Sequence, residues 1–187
     1  KTPKVYIQRD SLFHEQIIKT IYKDSITEDV EAVIADFNGD SINDIIIGTG
    51  GGDFFNNMPP LLDKYYSQKN KHYLKENFPA YFENANVIKA YDYDLDGDLD
   101  IFIGNNAVSN DFGEIPNSYI LNNDNGYFSI LKNQPFQNIG MVTDAIWDDF
   151  NSDGFTDLII VGEWMSPKFF RNEKGNFIEE LVVNQKL

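Results

Sequence analysis

A nine-residue acidic segment occurs three times in this chain of 187 residues, and the copies are evenly spaced. They occupy residues 36–44, 92–100 and 149–157, and all fit the pattern D-x-[DN]-x-D-[GS]-x-x-D. Their first residues lie 56 positions apart (92 minus 36) and then 57 positions apart (149 minus 92). Such a period is typical of a fold that uses one small structural unit several times, so the repeat constrains the fold more than any single motif.

Each acidic segment lies between two apolar runs that have the length and composition of strands. Short runs rich in β-branched residues and bounded by turn residues predict buried strands rather than helices. Two further strand-like pieces around a polar turn follow each run, so every unit is predicted to contain four strands. The first strands are predicted at 30–35, 86–91 and 141–147, the second at 44–48, 100–104 and 157–162, and the outer pairs within 64–74, 118–131 and 168–181.

Tandem four-stranded units predict an all-β fold, and specifically a segment of a β-propeller with about three and a half blades. Residues 1–187 would then form one partial propeller. It would consist of an outer hairpin of a preceding blade at 1–28, and of three blades at 29–84, 85–139 and 140–187. The uncovered ends are predicted to carry apolar side chains, namely Trp147, Phe169 and Phe170 at one end and Val5, Tyr6 and Phe13 at the other.

The acidic segments have the spacing of a site for a hard cation. Oxygen-bearing side chains at the first, third, fifth and ninth positions can converge on one ion, and the backbone carbonyl of the seventh can join them. Calcium accepts six to eight oxygens with flexible geometry, whereas magnesium requires a stricter octahedron, so about three Ca²⁺ per chain are predicted. The predicted side-chain ligands are Asp36, Asn38, Asp40 and Asp44, then Asp92, Asp94, Asp96 and Asp100, then Asp149, Asn151, Asp153 and Asp157, and the predicted carbonyl ligands are those of Ile42, Asp98 and Phe155.

The EF-hand loop shares the first half of this pattern but not the second. It requires a bidentate Glu at the twelfth position and a helix on each side. Here the twelfth residues are Ile47, Ile103 and Ile160, and the flanks are strand-like, so the EF-hand is excluded. Because the second segment offers four carboxylates and a Gly at its sixth position, it is predicted to bind most tightly. The first segment, with Ser41 in place of that Gly, is predicted to bind most weakly.

Composition narrows the classes of partner. Thirty acidic residues against fifteen basic ones give a formal charge of -15, which opposes binding to nucleic acid or to an anionic membrane surface. The chain has no Cys, so it has neither disulfides nor a thiolate metal site. It has no apolar run of about 18 residues, so no membrane insertion is predicted. Because it begins Lys-Thr-Pro-Lys without Met, we expect a processed or excised piece of a longer protein.

Catalytic motifs are absent from the sequence, and the protein is predicted not to be an enzyme. There is no Gly-x-Ser-x-Gly elbow, no phosphate-binding glycine loop and no His-based zinc motif. His14 and His72 lie in strand-like segments and are interpreted as ordinary strand residues. A sugar-binding surface could be lined by Glu163 and Trp164, or by Tyr65 and Tyr66, but packing roles are predicted for all four.

The tandem acidic segments, each followed by an apolar strand and Gly, resemble the FG-GAP or VCBS repeats of integrin-α-type β-propellers. The third unit, around residues 140–149 and 161–165, is similar to bacterial secreted repeat proteins related to cartilage acidic protein. The resemblance implies a propeller with Ca²⁺ between the first two strands of each blade, in an exported protein located outside the cell or on its surface. The implied function is a binding or scaffold module for a protein or glycan ligand.

Two expectations remain open beside this one. The segment could instead be the propeller part of a secreted carbohydrate- or lipid-active enzyme. Since a closed ring usually has four to eight blades, the remaining blades of the same protein or a second copy of the chain are expected to complete it.

Overall fold

The computed structural model of the protein describes residues 4–22, 28–50, 63–79, 83–108 and 113–181. These residues form fourteen β-strands and one short helix, which confirms the predicted all-β class. None of the helices in this part of the chain is long and apolar enough to cross a membrane. A two-stranded hairpin, β1 (Val5–Arg9) and β2 (Leu12–Gln16), comes first and is followed by α1 (Lys19–Tyr22).

Three four-stranded sheets follow the hairpin. The first sheet contains β3 (Glu28–Ala35), β4 (Asp44–Gly50), β5 (Lys64–Lys69) and β6 (His72–Lys75). The second contains β7 (Glu83–Tyr91), β8 (Asp100–Val108), β9 (Tyr119–Asp124) and β10 (Tyr127–Ile130). The third contains β11 (Met141–Asp148), β12 (Asp157–Glu163), β13 (Lys168–Glu173) and β14 (Asn176–Glu180).

In every sheet the strands are antiparallel and adjacent in the same order as in the sequence. The connections between outer strands are tight turns at residues that tolerate positive φ, such as Asn125 (φ 49°) and Gly126 (φ 89°) between β9 and β10. The unit boundary predicted between residues 84 and 85 falls inside β7, and the one between 139 and 140 falls between β10 and β11. Residues 51–62, between β4 and β5, lie outside the described residues.

The sheets pack face to face through two apolar clusters. Ile46 and Tyr65 of the first sheet contact Ile88, Ile101 and Ile103 of the second. The opposite face of the second sheet contacts the third, and the buried residues there include Phe102, Ile120, Leu158, Ile160 and Phe170. Alternation of side chains along each strand lets the second sheet bury both faces in this way.

The Gly that closes each second strand has a packing reason in the first two sheets. A Cβ atom at Gly48 would lie 2.7 Å from Cδ1 of Ile88, and one at Gly104 would lie 2.5 Å from Cγ1 of Val142. Each of these glycines therefore leaves room for an apolar side chain from the first strand of the following sheet. The "apolar run closed by Gly" in the sequence is thus a signature of sheet-to-sheet contact.

The prediction that Trp147 and Phe170 are uncovered at the end of the chain is wrong. Phe170 is fully buried, and the ring of Trp147 stacks on Tyr91 and Tyr93 with centroids 5.9 and 6.3 Å apart. The register pairs Phe170 with Leu158, so both residues lie on the face that packs against the second sheet.

The face that remains open on the third sheet carries other apolar side chains. Ile146, Val161 and Ile178 are exposed there. At the other end of the chain Tyr6 and Phe13 are exposed as predicted, whereas Val5 is half-buried against the first sheet.

Phe169 and Phe170 are neighbours on β13 and test this assignment of faces. Phe170→Ala should reduce the free energy of unfolding by about 3–5 kcal/mol, because it removes a fully buried ring from the cluster between the second and third sheets. Phe169→Ala should cost less, since Phe169 is only half-buried. Urea unfolding of the two variants measures both values, and a larger loss for Phe169→Ala would show that the sheet packs with its other face.

Candidate metal centre

The three acidic segments are the connections between the first and second strands of the three sheets, and we call them the first, second and third loops (residues 36–44, 92–100 and 149–157). They share one hydrogen-bond pattern. In the first loop the backbone N–H of Asp40 donates to Asp36 Oδ1 at 3.2 Å and to Asn38 Oδ1 at 3.1 Å. The next two N–H groups donate to Asp36 Oδ2 and Asp40 Oδ1.

The second and third loops repeat these four bonds residue for residue. The first, third and fifth side chains of each loop are therefore held by the loop's own backbone, with their oxygens turned inward over the N–H groups. The loop geometry is a property of the repeat and not of one copy.

Two positions in each loop adopt positive φ, and only one of them was evident from the sequence. The sixth residues Ser41, Gly97 and Gly154 have φ of 64°, 101° and 91°. Ser41 thus forms the same turn as Gly, although non-glycine residues rarely adopt this conformation. The fourth residue of every loop is also left-handed, with φ of 72°, 63° and 61° at Gly39, Leu95 and Ser152.

The ninth residues, Asp44, Asp100 and Asp157, are fully buried at the start of the second strands. One oxygen of each carboxylate accepts a backbone N–H from the third strand of the same sheet, at 3.0, 2.9 and 2.8 Å. Among the described residues, the other oxygen of Asp100 and of Asp157 has no partner with hydrogen-bond geometry, although the backbone N–H groups of Tyr93 and Phe150 lie near enough to lower the pKa of these carboxyls. Because a buried polar atom without a partner is costly, these two oxygens are the acceptors of the loops that most need a further donor or a positive charge.

Three carboxylates of the second loop come close together. One oxygen from each of Asp92, Asp94 and Asp100 lies within 4.8 Å of the others. Burial, together with the charges of Asp94 and Asp96, raises the pKa of Asp100 to about 7. Burial and the neighbouring Asp96 also raise the pKa of Asp94. A divalent cation at this point would favour the charged carboxylates and reverse both effects.

The first loop satisfies its ninth residue differently. Oδ2 of Asp44 accepts a hydrogen bond from the Tyr65 hydroxyl at 3.0 Å and one from the backbone N–H of Phe37 at 3.3 Å. The register puts Ile120 and Phe169 at the place of Tyr65 in the other two sheets, and neither can donate. Groups of the protein therefore already donate two hydrogen bonds to the second oxygen of Asp44. This is a second reason, absent from the sequence argument, to expect the weakest cation binding in the first loop.

The carbonyls of the seventh residues are predicted ligands, and the hydrogen bonds of the structure involve other groups of these residues. The backbone N–H groups of Ile42, Asp98 and Phe155 donate within their own loops. The carboxylate of Asp98 accepts the N–H of Asn125 from the β9–β10 turn at 2.9 Å, so this side chain is occupied by the fold. The role of the three carbonyls as ligands stays a prediction.

Two residues of the site were not identified from the sequence: Asn123 and Asn172. Both are fully buried, and each donates the backbone N–H that holds Asp100 or Asp157. Their only sequence signal is that each begins an Asn-x-x-Gly turn, which predicts a hairpin but not a contact with the acidic loops.

The other residues singled out in the sequence lie away from the loops or in the core. His14 and His72 are exposed strand residues. Tyr65 and Tyr66 are buried, as predicted.

The packing prediction is wrong for Trp164, which is 89% exposed, and for Glu163, which is exposed at the end of β12. Trp164 adopts φ 54° between β12 and β13. The next residue, Met165, turns toward the sheet instead. A Cβ atom at Gly140 or Gly162 would lie 2.5 Å from its sulfur. Met165 packs closely against Gly140 and Gly162, and this packing fixes the turn that exposes the indole of Trp164 to solvent.

Comparison with known proteins does not assign the chain to a family. No protein-family model matches it, and no curated protein sequence matches it significantly. The similarity to FG-GAP and VCBS repeats therefore rests on the loop pattern and its spacing, and family membership stays a prediction.

The raised pKa of Asp100 predicts how the stability of the metal-free protein depends on pH. Its pKa of about 7 in the folded state exceeds the ordinary value of about 3.9, so between these pH values the folded chain keeps a proton that the unfolded chain has lost. The free energy of unfolding should therefore rise as the pH falls from about 7 to 4, by at most about 1.4 kcal/mol per unit for this group.

Asp100→Asn keeps an oxygen for the Asn123 N–H but does not titrate. In chelator, chemical unfolding of this variant should show a shallower pH dependence than the wild type. Identical slopes would show that Asp100 is not the raised group. The buried Asp63, whose pKa burial raises to about 6, is present in both proteins and cancels from the comparison.

Proposed function

We propose that this protein is a calcium-binding β-propeller module of an exported protein, with one Ca²⁺ in each acidic loop. The unpartnered, fully buried oxygens of Asp100 and Asp157 carry the proposal. They lie beside the other acidic side chains of loops whose geometry is already formed. Oxygen-only donor sets with three or four carboxylates suit Ca²⁺.

Calcium would have a structural role in these loops. The cation compensates the mutual repulsion of the clustered carboxylates and completes the coordination of the buried oxygens. A cation that binds only the folded loop stabilises the fold by about 2.7 kcal/mol per site at 100 times its dissociation constant. Calcium modules outside the cell typically have dissociation constants of about 10⁻⁴–10⁻³ M, so affinities in this range are expected for the proposed extracellular or cell-surface location.

The way the sheets pack supports a propeller that continues beyond the three described sheets. At both contacts between sheets, the sheet that comes earlier in the chain uses one face and the sheet that comes later uses the opposite face. We call these the earlier face and the later face. On the first sheet the equivalent of the later face is covered at β4, where Ile45 and Ile47 are buried against Ile18 and Ile21. At β3 the same face carries Ile34, which is 59% exposed. On the third sheet the equivalent of the earlier face carries Ile146, which is 57% exposed. We propose that further blades of the same protein, or a second copy of the chain, cover these faces.

We propose a binding role and not a catalytic one. The clustered carboxylates are accounted for by the loops, and Trp164 offers a large exposed ring on a rigid turn. Exposed aromatic rings contribute much of the energy in sites for protein and sugar ligands. Trp164 is therefore our candidate contact for a protein or glycan ligand.

Calorimetric titration with CaCl₂ tests the cation sites. We expect about three ions per chain and a rise in melting temperature. Asp94→Ala should lower the melting temperature in calcium more than Asn38→Ala, because Asp94 belongs to the loop with four carboxylates and unpartnered Asp100. In chelator the difference between the two variants should shrink.

Anomalous scattering from calcium-loaded crystals locates the ions independently. Fewer than two sites would contradict the assignment of one ion to each loop. A larger effect of Asn38→Ala would contradict the ranking of the loops.

A glycan array and a protein pull-down, each with calcium and with chelator, test the binding role. A ligand detected with calcium should be lost on Trp164→Ala, while Tyr127→Ala, another exposed aromatic residue on β10, should retain it. Turnover of glycans or esters by the calcium-loaded protein would instead favour an enzyme.

A further inference from the structure

Asn123 forms hydrogen bonds to two different acidic loops. Its backbone N–H donates to Asp100 Oδ1 in the second loop at 2.9 Å. Its side-chain Nδ2 donates to the carbonyl of Phe37 in the first loop at 2.8 Å and to that of Leu99 in the second loop at 3.1 Å. The side-chain amide of one buried residue thus holds the backbones of both loops, while its backbone N–H holds a predicted ligand of the second.

Asn172 repeats this arrangement between the second and third loops. Its N–H donates to Asp157 Oδ1 at 2.8 Å, and its Nδ2 donates to the carbonyls of Tyr93 and Thr156 at 2.7 and 3.0 Å. Phe37 and Tyr93 are both the second residue of a loop and directly follow its first predicted ligand. The same contacts occur in two sheets, so they are a feature of the repeat.

The orientation of each asparagine is fixed by a third contact. Oδ1 of Asn123 accepts the N–H of Gly126 at 2.8 Å, and Oδ1 of Asn172 accepts that of Gly175 at 2.7 Å. The turn that follows Asn123 lies on the first loop: a Cβ atom at Gly126 would be 3.0 Å from Cβ of the predicted ligand Asn38. A shift of the first loop must therefore displace the turn, the amide or both.

We propose that Asn123 and Asn172 are positioning residues that couple calcium binding in neighbouring loops. Asn123 links the first loop to the second, and Asn172 links the second to the third. Because the shared amide contacts the backbones of both loops, a shift of one loop as it binds its ion also moves the amide and the neighbouring loop, so the neighbouring loop bears less of the cost of this shift when its own ion binds. The coupling is positive and reciprocal, and it rests on the calcium function proposed above.

Site-resolved titration of the full chain tests the coupling. Each loop contains one glycine whose amide signal in ¹⁵N-labelled protein serves as the reporter for that loop: Gly39, Gly97 and Gly154. Asp96→Asn removes a carboxylate from the second loop but keeps an oxygen for the Asp98 N–H. This substitution should raise the calcium midpoint reported by Gly39 in the first loop by about fivefold or more.

In an Asn123→Ala background the same substitution should leave the Gly39 midpoint nearly unchanged. Any direct effect of the lost charge is equal in the two backgrounds, so the difference isolates the amide. Asn172→Ala is the matched control, because it should leave the coupling of the first and second loops intact. Asn105→Ala removes a buried amide that donates to the Asn117 carbonyl and the Glu83 carboxylate, and it should lower stability without changing either coupling.

The outcomes separate the two proposals. If calcium moves none of the three glycine signals, the calcium function itself fails. If the signals move but Asp96→Asn leaves the Gly39 midpoint unchanged, or if the coupling survives Asn123→Ala, the positioning role is overturned. Should Asn123→Ala not fold, the equivalent cycle of Asn172→Ala with Asp153→Asn, followed at Gly97, decides the question.

Discussion

The burial of one carboxylate at the start of each second strand is the constraint on which the rest of the structure depends. Asp44, Asp100 and Asp157 are removed from water in places where the backbone of the third strand supplies only one hydrogen bond to each. An ionised group in such a position needs a compensating charge or further donors. The acidic loop before the strand and the asparagine after it are both arranged around this need.

The first sheet shows that the same need can be met in another way. Tyr65 and the Phe37 N–H donate to the second oxygen of Asp44, and Gln68 stands where the later sheets have Asn123 and Asn172. The three loops therefore differ: both oxygens of Asp44 accept hydrogen bonds, whereas Asp100 and Asp157 each keep one oxygen without a partner among the described residues. The copies of a repeat can therefore share one backbone geometry and still differ in how strongly they are expected to bind a cation.

The sequence was enough to predict the strands, because each lies between turn residues and the apolar runs are short. It was also enough to place the acidic loops between first and second strands. It did not reveal which face of a strand meets the next sheet: Trp147 and Phe170 were assigned to the wrong side, since period-2 alternation defines two faces but does not say which is covered. The roles of Tyr65 and Asn123 depend on contacts across 21 and 86 residues, which no local pattern contains.

The opposite edge of the sheets clarifies what sets the acidic loops apart. There the N–H of Thr49 is accepted by the Asp63 carboxylate, and the equivalent N–H of Asn105 is accepted by the Ser118 hydroxyl. A neutral side chain can thus replace the carboxylate at that edge, so the fold has no need of a charge there. At the loops, all three copies keep Asp at the first, fifth and ninth positions, although backbone N–H groups could be satisfied by neutral oxygens. The hydrogen bonds do not require this clustered charge, and this contrast with the opposite edge supports the proposed cation sites.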